Sequence, residues 1–278
     1  MSISVIPASG AGAYVTGIDL NEVDSSDLDV MKDTLGLYGV MYFRDQKLSS
    51  EAHIQFAEKF GVININRFFT PVADYPQIAQ VLKEADQKQN IGELWHTDHS
   101  YDQIPALGSI LVARELPSSG GDTLFVSMFA AYEALSQETK NRLEGLTAVH
   151  SSRHVFGASA YSRAQSSDLK NRLGNTAAAT QDAIHPMVIK HPFSGKKALY
   201  VNPQFTVSIN GLSETEGSEL LEELYDHCQQ DGFRHRFEWE QGTVVFWDNR
   251  ATWHKALNDY QGERRYMHRI TIEGVPLV

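Results

Sequence analysis

The chain contains almost no cysteine, no long apolar run and no excess of basic residues. One cysteine, Cys228, among 278 residues excludes an intramolecular disulfide framework, and its position in a helical pattern indicates a packing residue. No apolar run approaches the ~18 residues of a membrane span, so we expect no membrane association. The formal net charge of -11 argues against binding to nucleic acid, which requires a basic face.

The N-terminal segment and the overall composition define the broad class of protein. Residues 1–7 lack a basic stretch followed by a long apolar one, so we expect no signal peptide and a cytoplasmic location. Hydrophobic residues make up 42% of the chain, enough for a substantial core. No internal repeat and no Pro- or Ser-rich linker divides the sequence. We therefore expect one domain over residues 1–278, and we expect it to form a homo-oligomer.

Short apolar runs between turns are the dominant pattern, with a few amphipathic segments among them. Apolar residues at helical spacing predict helices over residues 27–38, 51–60, 128–135, 138–143 and 214–230. Runs typical of strands cover residues 13–20, 40–43, 78–82, 109–114, 123–126, 187–190, 198–202, 234–238, 243–247 and 269–272. A doubly wound alternation of strands and helices is absent, as is a Gly-rich phosphate loop. The pattern predicts a mostly β fold with flanking helices, a double-sheet jelly roll.

Residues 151–181 form the longest stretch without a clear period. The stretch is polar and rich in small residues. A loop of this length inside a compact domain is uncommon and is often an active-site lid. We therefore predict that residues 151–181 close over a functional site.

The triplet His96-Thr97-Asp98 is the first candidate for chemistry. In an extended segment, residues two apart point the same way, so His96 and Asp98 can reach one metal ion while Thr97 points away. A lone His-x-Asp triplet occurs often by chance. Trp95 before it and Tyr101 after it add an aromatic, half-buried surround that suits an oxygen-activating site.

A second histidine ligand must come from elsewhere in the chain, and His254 is the best candidate. It follows a strand-like run and a polar turn, and it stands beside aromatic residues. Taken alone, His254 favours a structural role. Together with His96 and Asp98 it would provide two imidazoles and one carboxylate, the ligand set of non-haem Fe(II) oxygenases. The other histidines that we considered lie in regular segments or in predicted turns: His53, His227, His268, His185 and His191.

Arginines near the C-terminus indicate bound anions. Arg265, Met267 and Arg269 share a face if their segment is a strand. Buried arginines require anionic partners, and the guanidinium group binds carboxylates in a bidentate fork. Two inward arginines without matched internal acids therefore predict bound anions. For Arg264 we expect an exposed position or an ion pair with one of three acids: Glu263, Asp248 or Asp259.

These residues, taken together and in this order, resemble a known family. The chain is similar to the taurine dioxygenase / dichlorophenoxyacetate dioxygenase family (TauD/TfdA) of Fe(II)- and 2-oxoglutarate-dependent enzymes. The matching motifs are GIDL at 17–20, FG at 60–61, WHTD at 95–98, GGDT at 120–123, WDNR at 247–250 with His254, and RRYMHR at 264–269. The resemblance spans nearly the whole chain, and in combination these motifs are highly specific.

The resemblance implies a fold, cofactors and a reaction. The family's fold is a double-stranded β-helix, a cupin-like jelly roll. His96, Asp98 and His254 match the iron ligands of the family, which we also count as the catalytic residues. The implied cofactors are Fe(II), 2-oxoglutarate and O2, and the implied reaction hydroxylates a substrate C–H bond and releases succinate and CO2. Family members that halogenate replace the carboxylate ligand with a small residue, so Asp98 favours hydroxylation.

The resemblance also implies residues for the cosubstrate and the substrate. Arg265 matches the arginine that binds the distal carboxylate of 2-oxoglutarate, and Thr123 matches the threonine whose hydroxyl supports it. Arg269 matches the residue that meets the substrate sulfonate in taurine dioxygenase. In this chain we expect Arg269 to bind the substrate acid or to assist the cosubstrate.

The substrate that we expect is a small to medium hydrophobic organic acid, for example an aryloxyalkanoate. Residues 67–70 lack the histidine that meets a sulfonate in taurine enzymes. Phe68, Phe69 and Tyr101 favour a larger aromatic cavity, although each is also compatible with core packing. The alternatives are a sulfonate or alkyl-sulfate dioxygenase and, in another class, a non-catalytic jelly roll that binds a small acid or a metal.

Overall fold

The computed structural model describes residues 3–158 and 176–277 of the chain. Within these residues short strands predominate, as the sequence predicts. The strands of the N-terminal half are β1 (Ser4–Pro7), β2 (Ala13–Thr16), β3 (Val40–Phe43), β4 (Ile63–Asn64), β5 (Pro71–Val72), β6 (Tyr75–Lys83), β7 (Gly108–Glu115) and β8 (Thr123–Ser127). The strands of the C-terminal half are β9 (Thr147–Ser151), β10 (Asp182–Pro186), β11 (Val188–Lys190), β12 (Lys197–Leu199), β13 (Thr206–Ile209), β14 (Arg234–Phe237), β15 (Val244–Asp248), β16 (Thr252–Ala256) and β17 (Arg265–Ile272).

The helices begin at polar caps and are mostly short. They are α1 (Ser25–Tyr38), α2 (Ser50–Glu58), α3 (Met128–Glu133), α4 (Gln137–Leu143), α5 (Arg153–Phe156) and α6 (Glu214–Cys228), with 3-10 turns at Thr176–Ala178 and Asp231–Phe233. Asp24 and Ser213 begin the two longest helices, α1 and α6, in capping boxes that satisfy the first backbone N–H groups. Helix α1 ends at Gly39, whose φ of 75° is a left-handed conformation that glycine adopts without strain.

The strands form one large sheet and several small ones. The large, nine-stranded sheet has the order β1-β2-β3-β15-β7-β17-β6-β5, and β4 pairs with β17. Only the contact between β2 and β3 is parallel among the described strand pairs. A second sheet has the order β14-β8-β16, and the remaining strands form the pairings β10-β9-β13 and β11-β12.

The two principal sheets pack face to face around an aromatic core. Tyr42 and Trp247 of the large sheet meet Phe125 and Phe237 of the β14-β8-β16 sheet, and Tyr42 stacks on Phe237 with ring centroids 4.5 Å apart. This sandwich is the jelly-roll arrangement that the sequence predicts. Arg265 and Arg269 of β17 lie on the same side of the strand as Met267, which belongs to this core.

The outer face of each principal sheet is covered by helices. Helices α1 and α2 cover the large sheet through Leu35 and Phe56, which pack in one cluster with Phe246 and Ile270. Helices α3 and α6 pack in a second cluster with Trp253 of β16. Helices therefore pack on both outer faces of the sandwich, and the side chains of the site lie between the sheets.

Most of the predicted elements are confirmed, whereas several boundaries differ. Strand β17 begins at Arg265 and not at residue 269, because pairing with β6 starts at Arg265. His185 lies in β10 opposite Ala148, so the turn that we expected there is wrong. The proline that suggested a turn, Pro186, ends the strand, where a missing N–H is tolerated.

The predicted lid is described only at its ends. Residues 151–158 and 176–181 include β9's last residue, α5 and a 3-10 turn, while residues 159–175 lie outside the described residues. Among the helices that the structure describes, none is both long and apolar enough to cross a membrane.

Candidate metal centre and adjoining cavity

The triplet His96-Thr97-Asp98 lies in an extended segment between β6 and β7, beside strand β16. His96 and His254 exchange backbone hydrogen bonds of 3.2 Å and 2.9 Å and form an isolated β-bridge. This pairing places the side chain of His254 beside that of His96, with ring centroids 4.0 Å apart. Residues 158 positions apart in the chain are thereby brought together by one pair of backbone bonds.

The ligand atoms of His96, Asp98 and His254 converge on one point. All three lie within 4.8 Å of one another, and all three residues are buried. Each carboxylate oxygen of Asp98 lies 3.7 Å from the Nε2 atom of one of the histidines. Two atoms that each bind one ion at about 2 Å can lie up to about 4 Å apart, so both separations suit a shared metal ion.

Backbone carbonyl groups orient the side chains of His96 and Thr97. His96 Nδ1 lies 2.8 Å from the carbonyl oxygen of Leu94, which fixes the proton on Nδ1 and leaves the Nε2 lone pair for a metal ion. Thr97 points away from the centre, as expected, and its hydroxyl donates to the carbonyl oxygens of Thr252 at 2.5 Å and Asn249 at 3.2 Å. The hydroxyl of Thr97 therefore links the segment that carries His96 and Asp98 to the turn before His254.

The protonation of the three residues suits metal binding. Burial lowers the pKa of His96, and burial together with the repulsion between two protonated imidazoles lowers the pKa of His254. Burial alone would raise the pKa of Asp98, but Arg269 and the two histidines lower it below its ordinary value. Neutral imidazoles and an ionised carboxylate are the forms that bind a divalent cation.

Arg269 lies directly against this centre. Its Nη1 atom is 3.3 Å and 3.4 Å from the two oxygens of Asp98, and its guanidinium carbon lies 4.3 Å from the ring centroid of Phe69. The Nε atom of Arg269 is buried and has no hydrogen-bond partner among the described residues. Arg269 thus keeps donor capacity for an anion in addition to Asp98.

Arg265 is the second inward arginine and has no carboxylate partner in the described part of the chain. It is 3% exposed, and its Nε and Nη2 atoms lack hydrogen-bond partners there. Gly121, with φ of 72°, allows the side chain of Arg265 to approach the backbone closely. A Cβ atom at this glycine would lie 3.2 Å from Arg265 Cδ. The hydroxyl of Thr123 lies in the same cavity and accepts a hydrogen bond of 3.0 Å from the indole N–H of Trp239. The orphaned guanidinium atoms of Arg265 fit a bound carboxylate.

One cavity of about 280 Å³ connects all of these groups. The predicted site residues that line it are His96, Asp98, His254, Thr123, Arg265, Arg269 and Tyr101. Phe68, which we expected to contact the substrate, is not among the described residues of the wall. It stacks behind the wall on Phe156 with ring centroids 4.2 Å apart, and its neighbour Phe69 lines the cavity instead.

Sequence reasoning missed several residues of the cavity wall. Val155 and Phe156 of α5 line it together with Phe205, so the described start of the predicted lid contributes to the wall. His99 and Asn66 add polar groups. His99 directly follows the metal triplet, and this adjacency is the signal that would have identified it.

Arg264 forms ion pairs with acids that the sequence did not suggest. Its Nε atom lies 2.9 Å from a carboxylate oxygen of Glu84, and its Nη1 atom contacts Glu115. The three acids that we expected are therefore wrong, because sheet pairing of β17 with β6 and β7 brings Glu84 and Glu115 alongside.

Comparison with known proteins gives consistent matches over the whole chain. Residues 4–271 match the family model described as "Taurine catabolism dioxygenase TauD, TfdA family". The chain is 34% identical to the alpha-ketoglutarate-dependent 2,4-dichlorophenoxyacetate dioxygenase of Cupriavidus pinatubonensis, with 93% of each chain covered. It is 30% identical to the alpha-ketoglutarate-dependent sulfate ester dioxygenase of Pseudomonas putida, with 99% of this chain and 90% of the relative covered. The crystal structure of a taurine dioxygenase from Burkholderia xenovorans is similar with a TM-score of 0.83 and 32% identity, over 100% of this chain and 93% of that one.

Proposed function

Because this chain belongs to the TauD/TfdA family of Fe(II)- and 2-oxoglutarate-dependent dioxygenases, we propose that it hydroxylates a hydrophobic organic carboxylic acid of the aryloxyalkanoate type. The observation that carries this proposal is the single cavity in which the His-Asp-His cluster, a cationic Arg269 and an aromatic wall meet. Family membership favours an enzyme over the non-catalytic binder.

His96, Asp98 and His254 are the proposed iron ligands. The backbone bridge between His96 and His254, the bond from His96 to Leu94 and the contacts of Thr97 hold the ligand atoms in place before the metal arrives. Two imidazoles and one carboxylate would hold Fe(II) and would leave it accessible to the cosubstrate and oxygen.

Arg265 and Thr123 are the proposed partners of the distal carboxylate of 2-oxoglutarate. The Nε and Nη2 atoms of Arg265 present two parallel donors, which is the geometry for a bidentate carboxylate contact. Burial of Arg265 strengthens this contact, because charges interact more strongly away from water.

Arg269 and the aromatic wall are the proposed substrate-binding groups. The cation of Arg269 binds the acid close to Asp98, while Phe69, Tyr101, Phe156 and Phe205 enclose the apolar part of the molecule. When bound, Fe(II) with 2-oxoglutarate and O2 supplies the oxidation that hydroxylates the C–H bond and yields succinate and CO2. The residues of the cavity hold that C–H bond beside the metal ligands and exclude water.

Turnover of a substrate panel tests the proposed function. We expect the enzyme with Fe(II), 2-oxoglutarate and O2 to form succinate in the presence of phenoxyacetate and to release phenol. Taurine and an alkyl sulfate serve as the sulfur-containing members of the panel. Turnover restricted to these, with release of sulfite or sulfate, would show that the proposed substrate class is wrong.

The second candidate function is that of a sulfonate or sulfate-ester dioxygenase. The likeness to the Pseudomonas putida sulfate ester dioxygenase supports it, because that relative covers nearly the whole chain. Arg269 suits a sulfate as well as a carboxylate, since both are oxyanions.

Four further expectations stay predictions: the cytoplasmic location, the homo-oligomer, the single domain and the lid over residues 151–181.

A further inference from the structure

His99 has an unusual backbone conformation directly beside the metal centre. Its φ is 59°, a left-handed conformation that it shares with only Asp45 and Asp74 among the described residues other than glycine, and its side chain is 2% exposed. Such strain persists only where the surrounding structure holds it, and it is concentrated at functional sites. The conformation turns the imidazole of His99 into the cavity that Asp98 and Arg269 also line.

A hydrogen bond to Asp102 fixes the proton of His99 on one nitrogen. Nδ1 of His99 lies 2.9 Å from Oδ2 of Asp102, while Oδ1 of Asp102 accepts a hydrogen bond of 2.5 Å from Arg67. Burial alone would raise the pKa of Asp102, but the hydrogen bonds from His99 and Arg67 lower it. An ionised carboxylate only accepts hydrogen bonds, so Nδ1 of His99 must carry the proton.

Asn66 shows that the other nitrogen of His99 is an acceptor. The Oδ1 atom of Asn66 accepts hydrogen bonds from the backbone N–H groups of Phe68 and Phe69, at 2.9 Å and 3.1 Å. The amide N–H group of Asn66 therefore points to His99 Nε2, 3.4 Å away. This contact is long, so the lone pair of Nε2 remains available to a stronger donor in the cavity.

We propose that His99 is a specificity-determining residue that selects acids with an N–H or O–H group close to the carbon that is oxidised. This inference rests on the proposed function and deepens it: among aryl-substituted acetic acids, those with a hydrogen-bond donor beside the oxidised carbon are preferred to aryloxyacetates. His99 and Asp98 line the same cavity, so a donor that reaches Nε2 lies in the cavity that would hold the reacting carbon. An ether oxygen at the same place offers only lone pairs, and two facing acceptors repel each other.

N-arylglycines are the simplest members of this class. They differ from aryloxyacetates only in the atom next to the methylene carbon, where an N–H group replaces the ether oxygen. Hydroxylation of that carbon gives a carbinolamine, whose O–H proton moves to nitrogen as the C–N bond breaks. The products are an arylamine and glyoxylate, formed together with succinate and CO2.

Three probes on the wild-type enzyme isolate the hydrogen bond. N-phenylglycine carries the N–H group, phenoxyacetate replaces it with oxygen, and N-methyl-N-phenylglycine blocks it with a methyl group. We expect kcat/KM for N-phenylglycine to exceed that of both others by about tenfold or more, since a buried acceptor without its donor costs roughly that much. The perturbation of the anaerobic Fe(II)–2-oxoglutarate absorption band by each probe gives its affinity without turnover.

The variant Asp102→Asn reverses the donor and acceptor atoms of His99. Arg67 holds the amide oxygen at the Oδ1 position, so the new NH2 group faces Nδ1 and moves the imidazole proton to Nε2. We expect the preference to shift about tenfold towards phenoxyacetate. Asp182→Asn is the matched control, because Asp182 makes an exposed ion pair with Arg153 and does not line the cavity.

The outcomes separate this inference from the proposed function. Equal kcat/KM values for the three probes, or a preference for phenoxyacetate in the wild type, would overturn the role of His99 alone. An unchanged preference in folded Asp102→Asn would do the same. If that variant does not fold, the wild-type series decides. Failure of every carboxylate probe, with a normal 2-oxoglutarate band, would overturn the proposed function and this inference together.

Discussion

Arg269 donates to the carboxylate of Asp98, with Nη1 3.3 Å and 3.4 Å from its two oxygens. One residue of the metal cluster is thereby joined to the residue that we propose for the substrate acid. Because the Nε atom of Arg269 has no partner among the described residues, the guanidinium group can bind an anion while it contacts Asp98. In the proposed site, a single side chain therefore links the substrate acid to the metal cluster.

Arg269→Gln is expected to weaken substrate binding more than cosubstrate binding. Loss of a charge-assisted contact corresponds to about 1.5–3 kcal/mol, so KM for the acid should rise about tenfold to a hundredfold. Arg269→Lys keeps the charge but loses the planar guanidinium group, so its KM for the acid should lie between those of the wild type and Arg269→Gln. Steady-state kinetics with varied acid measures the effect, and an unchanged KM in Arg269→Gln would contradict the role of Arg269.

Arg265→Ala is expected to reduce the affinity for 2-oxoglutarate about a hundredfold, because a buried bidentate contact to a carboxylate is lost. Arg264→Ala is its matched control, since Arg264 is the preceding residue and pairs with Glu84 and Glu115 outside the cavity. Anaerobic titration of the Fe(II)–2-oxoglutarate band measures both. Equal affinities in the two variants would contradict the assignment of Arg265.

Thr97→Val is expected to weaken Fe(II) binding about tenfold or more, because it removes the hydroxyl that pins the ligand segment to Thr252 and Asn249. Thr97→Ser keeps the hydroxyl and should restore most of the affinity. Competition with a colorimetric chelator measures the dissociation constants. If both variants bound Fe(II) equally well, the hydroxyl would have no positioning role.

Arg250→Met is expected to destabilise the fold by about 3–5 kcal/mol, because it leaves a buried carboxylate without its charge partner. Asp248 is fully buried, accepts two hydrogen bonds from the Arg250 side chain, of 2.9 Å and 2.7 Å, and also contacts His191 at 3.0 Å. Arg142→Met is the control, since its pair with Glu223 is exposed and should change stability by less than about 0.5 kcal/mol. Urea denaturation compares them, and equal effects would show that burial of the pair is unimportant.

His53→Phe is expected to reduce the loss of stability at acid pH. Burial, together with the charges of Arg114 and His268, lowers the pKa of His53 to about 3. The unfolded chain, with a pKa near 6.5, then binds a proton that the folded chain excludes, so stability falls as the pH drops below about 6.5. This histidine accounts for up to about 1.4 kcal/mol per pH unit.

The measurement for His53 is the free energy of unfolding of metal-free protein between about pH 7 and pH 5. The wild type should lose more stability over this range than His53→Phe does. Identical slopes would show that His53 is protonated in the folded state.

The sequence predicted that His96, Asp98 and His254 converge, because the signals are local or carried by motifs. The two-residue spacing of His96 and Asp98 puts both side chains on one side of an extended segment, as the structure has them. Arg265 and Arg269 are an even number of residues apart in one strand, and this spacing likewise predicted that both side chains point to the interior. Neither inference needs the relative position of distant strands.

Features that depend on distant packing were not predictable in the same way. Phe68 and Phe69 are adjacent, and a shift of one residue exchanges which ring lines the cavity. The partners of Arg264 follow from the register of β17 with β6 and β7, which composition does not reveal. The left-handed backbone at His99 has no sequence signal, because Asp102 and Arg67 stabilise it through contacts formed only in the fold.

The stoichiometry of turnover with phenoxyacetate tests the central claim most directly. Under air with Fe(II) and 2-oxoglutarate, we expect one succinate and one glyoxylate for each phenol released, and no products from Asp98→Ala. Succinate formed only with sulfonates or sulfate esters, or phenol released without succinate, would contradict the proposed reaction.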